Sequence, residues 1–159
     1  MRKRICIVAA VALGAVLAVP WLFGGGLDPV TQARLESARA RWEHSGVTDY
    51  ELVVEIFGAE SGQYDITVRG GRLEQINRNG EPANPAQGEY WTVDGLFRTI
   101  EAELHFKDQR TTAQPVPAGS RIFLLGKFDV RLGYPRKFVR QITGTSRGIE
   151  IQVQLTQRR

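Results

Sequence analysis

The first 26 residues of the chain fall into three blocks that constrain everything after them. A basic tip, Arg2-Lys3-Arg4, is followed by 19 residues from Ile5 to Phe23 without a charged side chain, and then by three glycines. A helix of that length spans about 28 Å, close to the roughly 30 Å hydrocarbon core of a bilayer. The run therefore predicts a transmembrane helix. The basic tip predicts that the N-terminus stays in the cytoplasm and that the remaining residues lie outside.

A cleaved signal peptide is the alternative for this segment, with Val16-Leu17-Ala18 as the small residues before a cut. In both cases the chain divides into residues 1–26 and an extracytoplasmic domain of residues 27–159. The protein is then either a single-pass membrane protein or a secreted one. The single cysteine, Cys6, lies at the start of the apolar run. The exported domain is therefore expected to have neither a disulfide nor thiol chemistry.

Charge is distributed unevenly over the predicted domain. Residues 27–106 contain 14 acidic and 7 basic side chains, whereas residues 107–159 contain 3 acidic and 11 basic ones. One explanation is that acidic and basic strands pair within one sheet, which stabilises it modestly. The other is a basic surface that attracts anionic lipid headgroups or an acidic envelope polymer. Nucleic acid is not an expected partner, because no recognition motif accompanies the basic residues.

Hydrophobic periodicity predicts two helices. The first begins with Asp28 as N-cap and Pro29 in the first turn, and it ends near His44, before Gly46. Residues 81–89 and 107–120 contain two prolines each and are predicted to be loops. The second helix follows Thr92 as N-cap, and its apolar residues recur at helical spacing: Val93, Leu96, Phe97, Ile100 and Leu104.

Alternating apolar and polar residues predict six strands in two groups of three, one group after each helix. The continuous apolar run from Ile122 to Leu125 favours a central strand, and Gly70-Gly71 predicts a tight hairpin. We therefore expect a two-layer α+β domain, in which an antiparallel sheet of about six strands carries both helices on one face. The strand order is left open. The predicted strands are 49–57, 64–69, 72–77, 121–129, 137–142 and 149–156.

The sequence lacks the spacings that most catalytic and metal sites require. His44 and His105 are isolated, and there is no Gly-x-Ser-x-Gly, phosphate-binding loop or dinucleotide-binding glycine pattern. Glu51 and Glu55 alternate with apolar residues, which is typical of the solvated face of a strand. We therefore expect no catalytic residue, no metal and no cofactor.

The candidate binding residues lie in the basic half of the domain. Asp129, Tyr134 and Arg136 are predicted to border a shared pocket, and Lys137 and Arg140 extend a basic surface beside it. The first functional hypothesis is a non-enzymatic envelope domain that binds a protein or polymer partner. The alternative is a surface module that binds anionic lipid or an envelope polymer through its basic C-terminal half, with Arg136, Lys137, Arg140 and Arg147 as the binding residues. A hydrolase is the third, and it requires a deep pocket in which Asp129 and Tyr134 converge.

Three short stretches carry a family resemblance. They are Trp42-Glu43-His44-Ser45-Gly46-Val47-Thr48-Asp49-Tyr50-Glu51-Leu52, then Thr92-Val93-Asp94-Gly95-Leu96-Phe97, then Phe128-Asp129 with Leu132-Gly133-Tyr134-Pro135. Together they resemble domain-of-unknown-function family 6174, a group of exported or lipid-anchored bacterial proteins, over most of residues 27–142. Members often carry a cysteine pair after the first strand, where this chain has Phe57-Gly58-Ala59. The resemblance implies a location and a fold but no reaction, since no activity is established for the family.

The residues of these stretches are also predicted to have structural roles. Trp42 and Tyr50 are expected to pack the first helix onto the first strand. Gly95 is expected to let the second helix approach the sheet closely. The loop around Pro115 and Pro117 is interpreted as an insertion relative to the family pattern.

Overall fold

The computed structural model describes residues 26–58, 61–109 and 116–158. The predicted leader, Ile5 to Phe23, lies outside these ranges, and within them no helix is long and apolar enough to cross a membrane. The helices are α1 (Gln32–Ser45), α2 (Pro85–Gly88) and α3 (Val93–Gln109), with a 3-10 helix at Glu89–Trp91 between α2 and α3. The strands are β1 (Asp28–Pro29), β2 (Tyr50–Gly58), β3 (Gly62–Arg69), β4 (Arg72–Arg78), β5 (Glu81–Pro82), β6 (Ile122–Phe128), β7 (Pro135–Ile142) and β8 (Ile149–Gln157).

All eight strands form one antiparallel sheet in the order β1-β6-β7-β8-β2-β3-β4-β5. The α+β class and the antiparallel sheet are therefore confirmed. The expected count of about six strands is wrong, because β1 and β5 are added at the two edges. Each has only two residues, which is too short to produce a detectable alternation of apolar and polar residues.

The sheet consists of two four-stranded halves that meet at β2 and β8, and each half has three long strands and one two-residue edge strand. Leu52 lies opposite Leu155, and nine residues of each strand are in register from Tyr50 to Gly58. The C-terminal strand thus completes the sheet next to its first long strand. This contact between distant parts of the sequence establishes the strand order, which periodicity left open.

Helices α1 and α3 pack on the same face of the sheet, as expected. Trp42 of α1 and Tyr50 of β2 meet edge to face, with ring centroids 5.4 Å apart. All five predicted apolar residues of α3 are buried, so the predicted stripe forms its packing face. The hydrophobic core cluster is formed by residues between Val30 and Val153. We therefore expect residues 26–159 to fold without the leader.

The start of α1 differs from the prediction. Thr31, not Asp28, is the N-cap, and its hydroxyl accepts a hydrogen bond from the Arg34 backbone N–H. Asp28 and Pro29 pair instead with Gly126 and Leu125 as strand β1. Pairing with β6 places Asp28 and Pro29 in the sheet, so the helix begins after Thr31.

The position of β6 was also predicted wrongly. It is the second strand from one edge, and its outer neighbour is the two-residue β1. Its apolar run mixes two environments, because Leu124 is buried under the helices whereas Phe123 is 43% exposed. A run of four apolar residues therefore did not indicate burial on both faces.

Two predicted loops contain regular structure. Residues 81–89 form β5, α2 and the start of the 3-10 helix, while α3 extends into the second predicted loop as far as Gln109. The role of Gly95 also differs from the prediction. A Cβ on Gly95 would lie 2.0 Å from the Glu89 carbonyl oxygen. Gly95 therefore lets the 3-10 helix, rather than the sheet, approach α3.

Candidate functional site

A groove opens where strands β7 and β8 separate. Their pairing ends at Lys137 opposite Gln152, although β8 continues to Gln157. The space between them has a volume of about 870 Å³. Its walls combine basic, aromatic and apolar side chains with strand backbone: Leu27, Lys127, Tyr134, Arg136, Lys137, and residues 152–155, with Gly26 at the rim.

Tyr134 is a buried aromatic residue of this basic groove, with 7% of its surface exposed. Burial raises the pKa of the Tyr134 phenol, and the charge of Asp129 raises it further. Arg136 and a hydrogen bond with the Leu155 backbone lower the pKa but do not cancel these effects. The phenol is therefore protonated at neutral pH. The hydrogen bond of its hydroxyl with the Leu155 backbone links the residue before β7 to β8.

Asp129 does not line the basic groove. Its Oδ1 atom accepts hydrogen bonds from the backbone N–H groups of Arg131 and Leu132, at 3.0 and 2.8 Å. Its own backbone N–H donates to the Tyr134 carbonyl oxygen at 2.8 Å. Asp129 thus shapes the turn between β6 and β7. Of the three predicted pocket residues, the structure brings Tyr134 and Arg136 together in the groove and leaves the Asp129 carboxylate outside it.

The two remaining candidates, Lys137 and Arg140, separate onto different faces of the sheet. The Lys137 Nζ atom lies 2.7 Å from Glu150 Oε1, beside the basic groove. This ion pair lowers the pKa of the Glu150 carboxyl, through a hydrogen bond from Lys137 above all. Arg140 instead lies 2.6 Å from Glu103 of α3, on the helix-covered side. The basic residues of β7 therefore do not form one continuous surface.

Lys127 and Leu27 are groove residues that sequence reasoning missed. Lys127 lies directly opposite Lys137 in the β6–β7 register, so the two ammonium groups project from the same face of the sheet. Leu27 comes from the segment that precedes β1. The sequence does show two lysines on either side of the predicted turn between these strands. Only the β6–β7 register shows that they lie opposite each other.

The turn between β6 and β7, residues 129–134, forms a tip next to the basic groove. Val130 at this tip is 90% exposed. Gly133 has a φ of +87°, and a Cβ at this position would lie 2.2 Å from the Ala38 carbonyl oxygen of α1. The tip therefore packs closely against α1 at Gly133.

A second cavity, of about 560 Å³, is lined by Lys107 and residues 116–123. Residues 110–115, between Lys107 and Val116 in the chain, lie outside the described ranges. The two histidines are also unsuited to a joint site as placed. The Nδ1 atom of His44 lies 2.6 Å from the Ala40 carbonyl oxygen of its own helix, while His105 is exposed on α3. Among the described residues, no three His, Cys, Asp or Glu side chains form a possible metal site.

Comparison with known proteins adds a family but no activity. Neither the curated proteins nor the solved structures contain a match to this chain. The profile of a "Family of unknown function (DUF6174)" matches residues 34–114, which is 81 of the 159 residues. The matched region runs from α1 to beyond α3, so the groove residues from Lys127 to Leu155 follow it in the chain. The third stretch of the resemblance, Phe128 to Pro135, lies beyond the matched residues, whereas the stretches at 42–52 and 92–97 lie within them. The chain belongs to this family of unknown function, DUF6174, as the resemblance predicted.

Proposed function

We propose that this protein is a membrane-tethered, extracytoplasmic binding domain without enzymatic activity, and that its basic groove holds an anionic ligand. One observation carries the proposal. Lys127, Arg136 and Lys137 converge on the groove. Of these three cations, Lys137 alone pairs with a carboxylate of the described residues, that of Glu150. Two cations at one site without counter-ions attract negative charge.

The groove favours a ligand that carries phosphate or carboxylate groups along an extended backbone. An arginine and two lysines supply charge-assisted hydrogen bonds to such groups. Leu27, Leu155 and the ring of Tyr134 add apolar surface for the atoms between them. An acidic envelope polymer and an anionic lipid headgroup share this chemistry.

The predicted leader supports the extracytoplasmic part of the proposal. The basic tip and the uncharged run from Ile5 to Phe23 match a single membrane span whose C-terminal side is outside the cytoplasm. In that compartment the polyanions available are lipids and envelope polymers. Fractionation of cells should recover the chain with the membrane. Recovery in the soluble cytosolic fraction would contradict this part of the proposal.

Binding of short-chain polyphosphate to residues 26–159 tests the groove. We expect binding that weakens steeply with salt, because each neutralised charge releases counter-ions. Lys127→Gln/Arg136→Gln should weaken it by at least about tenfold, the loss expected from removing two charge-assisted contacts. The matched control is Lys107→Gln/Arg121→Gln, which removes two exposed charges around the other cavity. Equal losses in both variants, or no binding at all, would overturn the groove as the site.

A protein partner is the second candidate, and the edge of β8 favours it. From Val153 to Gln157, β8 pairs only with β2 among the described residues. Backbone groups on such an edge can add an extended peptide as a further strand. A photo-crosslinker at Gln154→Cys, in a Cys6→Ser background, should then capture a discrete protein from intact envelopes. A crosslinker at Ser146→Cys, in the turn between β7 and β8, is the control, and equal capture at both positions would contradict this candidate.

A further inference from the structure

We infer that the basic groove and the β6–β7 tip form one membrane-docking surface, on which anionic lipid headgroups contact the groove and Val130 enters the interface. This inference rests on the proposed function and names the lipid bilayer as the source of the anionic groups. It adds an orientation of the domain and a second membrane contact besides the predicted leader. Three observations support it: the direction of β1, the length of chain between Phe23 and Gly26, and the exposed apolar and basic side chains of the tip.

The direction of β1 determines where the leader joins the domain. β1 is antiparallel to β6, with Asp28 opposite Gly126 and Pro29 opposite Leu125. Moving from Asp28 towards the N-terminus therefore follows β6 towards its C-terminal end. That end leads into the turn at residues 129–134, and Gly26 and Leu27 accordingly lie at the basic groove. The leader thus reaches the domain at the end of the sheet that carries the tip.

The linker is too short to hold this end of the domain away from a membrane. Three residue steps separate Phe23, the last residue of the apolar run, from Gly26. A fully extended chain covers at most about 11 Å in three residues. That distance is similar to the Debye length of about 8 Å at physiological ionic strength. With the apolar run in the bilayer, the cations next to Gly26 therefore lie inside the field of the headgroups.

The tip has the composition of a shallow membrane contact. Val130 is 90% exposed, Arg131 next to it is exposed, and Lys127 and Arg136 lie at the two ends of the turn. An apolar point among basic side chains inserts at the boundary between headgroups and acyl chains, while the cations remain among the phosphates. The contact of Gly133 with α1 keeps this point in a fixed position.

Three carboxylates near this end are already engaged with the protein itself. Asp129 accepts hydrogen bonds from backbone N–H groups of the turn. Asp28 pairs with Arg34 at 2.6 Å, and Glu150 pairs with Lys137 at 2.7 Å. The side chains of Lys127, Arg131 and Arg136 thus leave a positive balance at the tip. The turn at residues 143–148 lies at the opposite end of β7 and would face away from the bilayer.

The first test uses the full chain in nanodiscs, with Cys6→Ser and an environment-sensitive fluorophore on one introduced cysteine. A probe at Val130→Cys should shift to shorter wavelength, and a lipid-borne quencher should quench it, in discs containing phosphatidylglycerol. A probe at Ser146→Cys, at the far end of β7, should show neither effect. Absence of the shift at residue 130, or the same response at residue 146, would overturn the proposed orientation.

The second test separates lipid docking from anion binding in general. Residues 26–159 should co-sediment with vesicles containing phosphatidylglycerol and not with vesicles of phosphatidylcholine alone. Lys127→Gln/Arg136→Gln should weaken this binding roughly 30-fold, which corresponds to about 1 kcal/mol for each basic residue near an anionic surface. Lys107→Gln/Arg121→Gln should leave it unchanged. Val130→Asp should also weaken vesicle binding. The Val130 side chain is 90% exposed, so this substitution should leave the fold of the domain unaffected.

The outcomes of the two binding experiments are distinct. If residues 26–159 bind polyphosphate but not anionic vesicles, membrane docking is wrong and the proposed groove function stands. If they bind neither, both proposals fail. If vesicle binding depends on Lys127 and Arg136 but not on Val130, the tip does not enter the interface, and the inference is overturned in that part.

Discussion

Arg140 Nη1 on β7 lies 2.6 Å from Glu103 Oε1 on α3, and this ion pair joins the basic half of the sequence to the acidic half across the layer boundary. The side chains of Arg140 and Glu103 are only 31% and 17% exposed. Burial raises the pKa of the Glu103 carboxyl, although the charge of Arg140 and its hydrogen bond act in the opposite direction. Desolvation therefore outweighs pairing. The Arg140 Nε atom is also buried without a hydrogen-bond partner.

This balance predicts that the pair as a whole stabilises the fold little, whereas breaking it is costly. Arg140→Met alone should lower the free energy of unfolding by about 1–3 kcal/mol, because it leaves Glu103 partly buried and unpaired. Glu103→Leu/Arg140→Met should be within about 1 kcal/mol of the original chain. Urea denaturation of residues 26–159 and its single and double variants forms the required cycle. A double variant as unstable as the sum of both single variants would contradict this interpretation.

Alkaline pH should destabilise the domain through Tyr50. Burial, above all, raises the pKa of Tyr50 to about 12; a hydrogen bond with the Val93 backbone lowers it, and the charge of Asp94 raises it. The raised pKa means that the stabilisation is complete below pH 10 and is lost as the pH rises towards 12. The loss should reach roughly 2–3 kcal/mol.

Tyr50→Phe tests this assignment. The variant should be less stable by about 1 kcal/mol at neutral pH, since the hydrogen bond with Val93 is lost, but its stability should fall less steeply between pH 10 and pH 12. Unfolding by urea at a series of pH values measures both effects. Tyr90→Phe is the control, because its ring is 65% exposed. An unchanged alkaline slope in Tyr50→Phe would show that another group is responsible.

Two glycines in turns should differ sharply in their tolerance of alanine. Gly133 and Gly144 both have positive φ, at +87° and +73°, so alanine is strained by about 1–2 kcal/mol at either position. A Cβ at Gly133 would also collide with the Ala38 carbonyl oxygen at 2.2 Å, whereas nothing lies within 4 Å at Gly144.

Gly133→Ala should therefore cost more than about 3 kcal/mol, and Gly144→Ala only the backbone strain. Thermal and urea unfolding of the two variants measures the difference. Gly133→Ala should also displace the tip, so it should weaken vesicle binding even under conditions in which the variant stays folded. Similar losses of stability in both variants would mean that α1 does not pack closely on the tip.

The elements that sequence reasoning located best are those whose signal is local. The apolar stripe of α3 was predicted from Val93 to Leu104, and every residue of it is buried. The Gly70-Gly71 turn was predicted from residue type, and both residues have positive φ, at +54° and +73°. Helical spacing and the freedom of glycine depend on neighbouring residues alone, so one segment suffices to recognise them.

Where a contact with a distant residue overrode a local signal, the prediction was wrong. Asp28 is a good N-cap by residue type, but it pairs with Gly126 in β1, and Thr31 caps the helix instead. The apolar run of β6 resembled a central strand, although β6 is next to an edge. Both results depend on the pairing of β1 with β6, whose residues are about 100 positions apart in the chain. This pairing removes Asp28 from the helix and gives β6 a short outer neighbour.

The candidate site was predicted only in part for the same reason. Tyr134, Arg136 and Lys137 were predicted, since a cluster of basic and aromatic residues is visible in the sequence. Arg140 lies on the other face of β7 from Lys137 and pairs with Glu103 of α3. Separating Arg140 from the groove residues therefore requires knowing where α3 lies. Lys127 and Leu27 join the groove through the β6–β7 register and through β1.

The sequence by itself determined the α+β class, the positions of the six principal strands to within two residues at each end, and the apolar face of α3, because periodicity records which side of each element is buried. The tertiary structure alone decided the strand order, the separation of β7 from β8 and the convergence of Lys127, Arg136 and Lys137. These depend on which strand edges meet. Backbone hydrogen bonds between strands are the same for every residue type except proline, so only the packing of the whole sheet selects among the possible pairings.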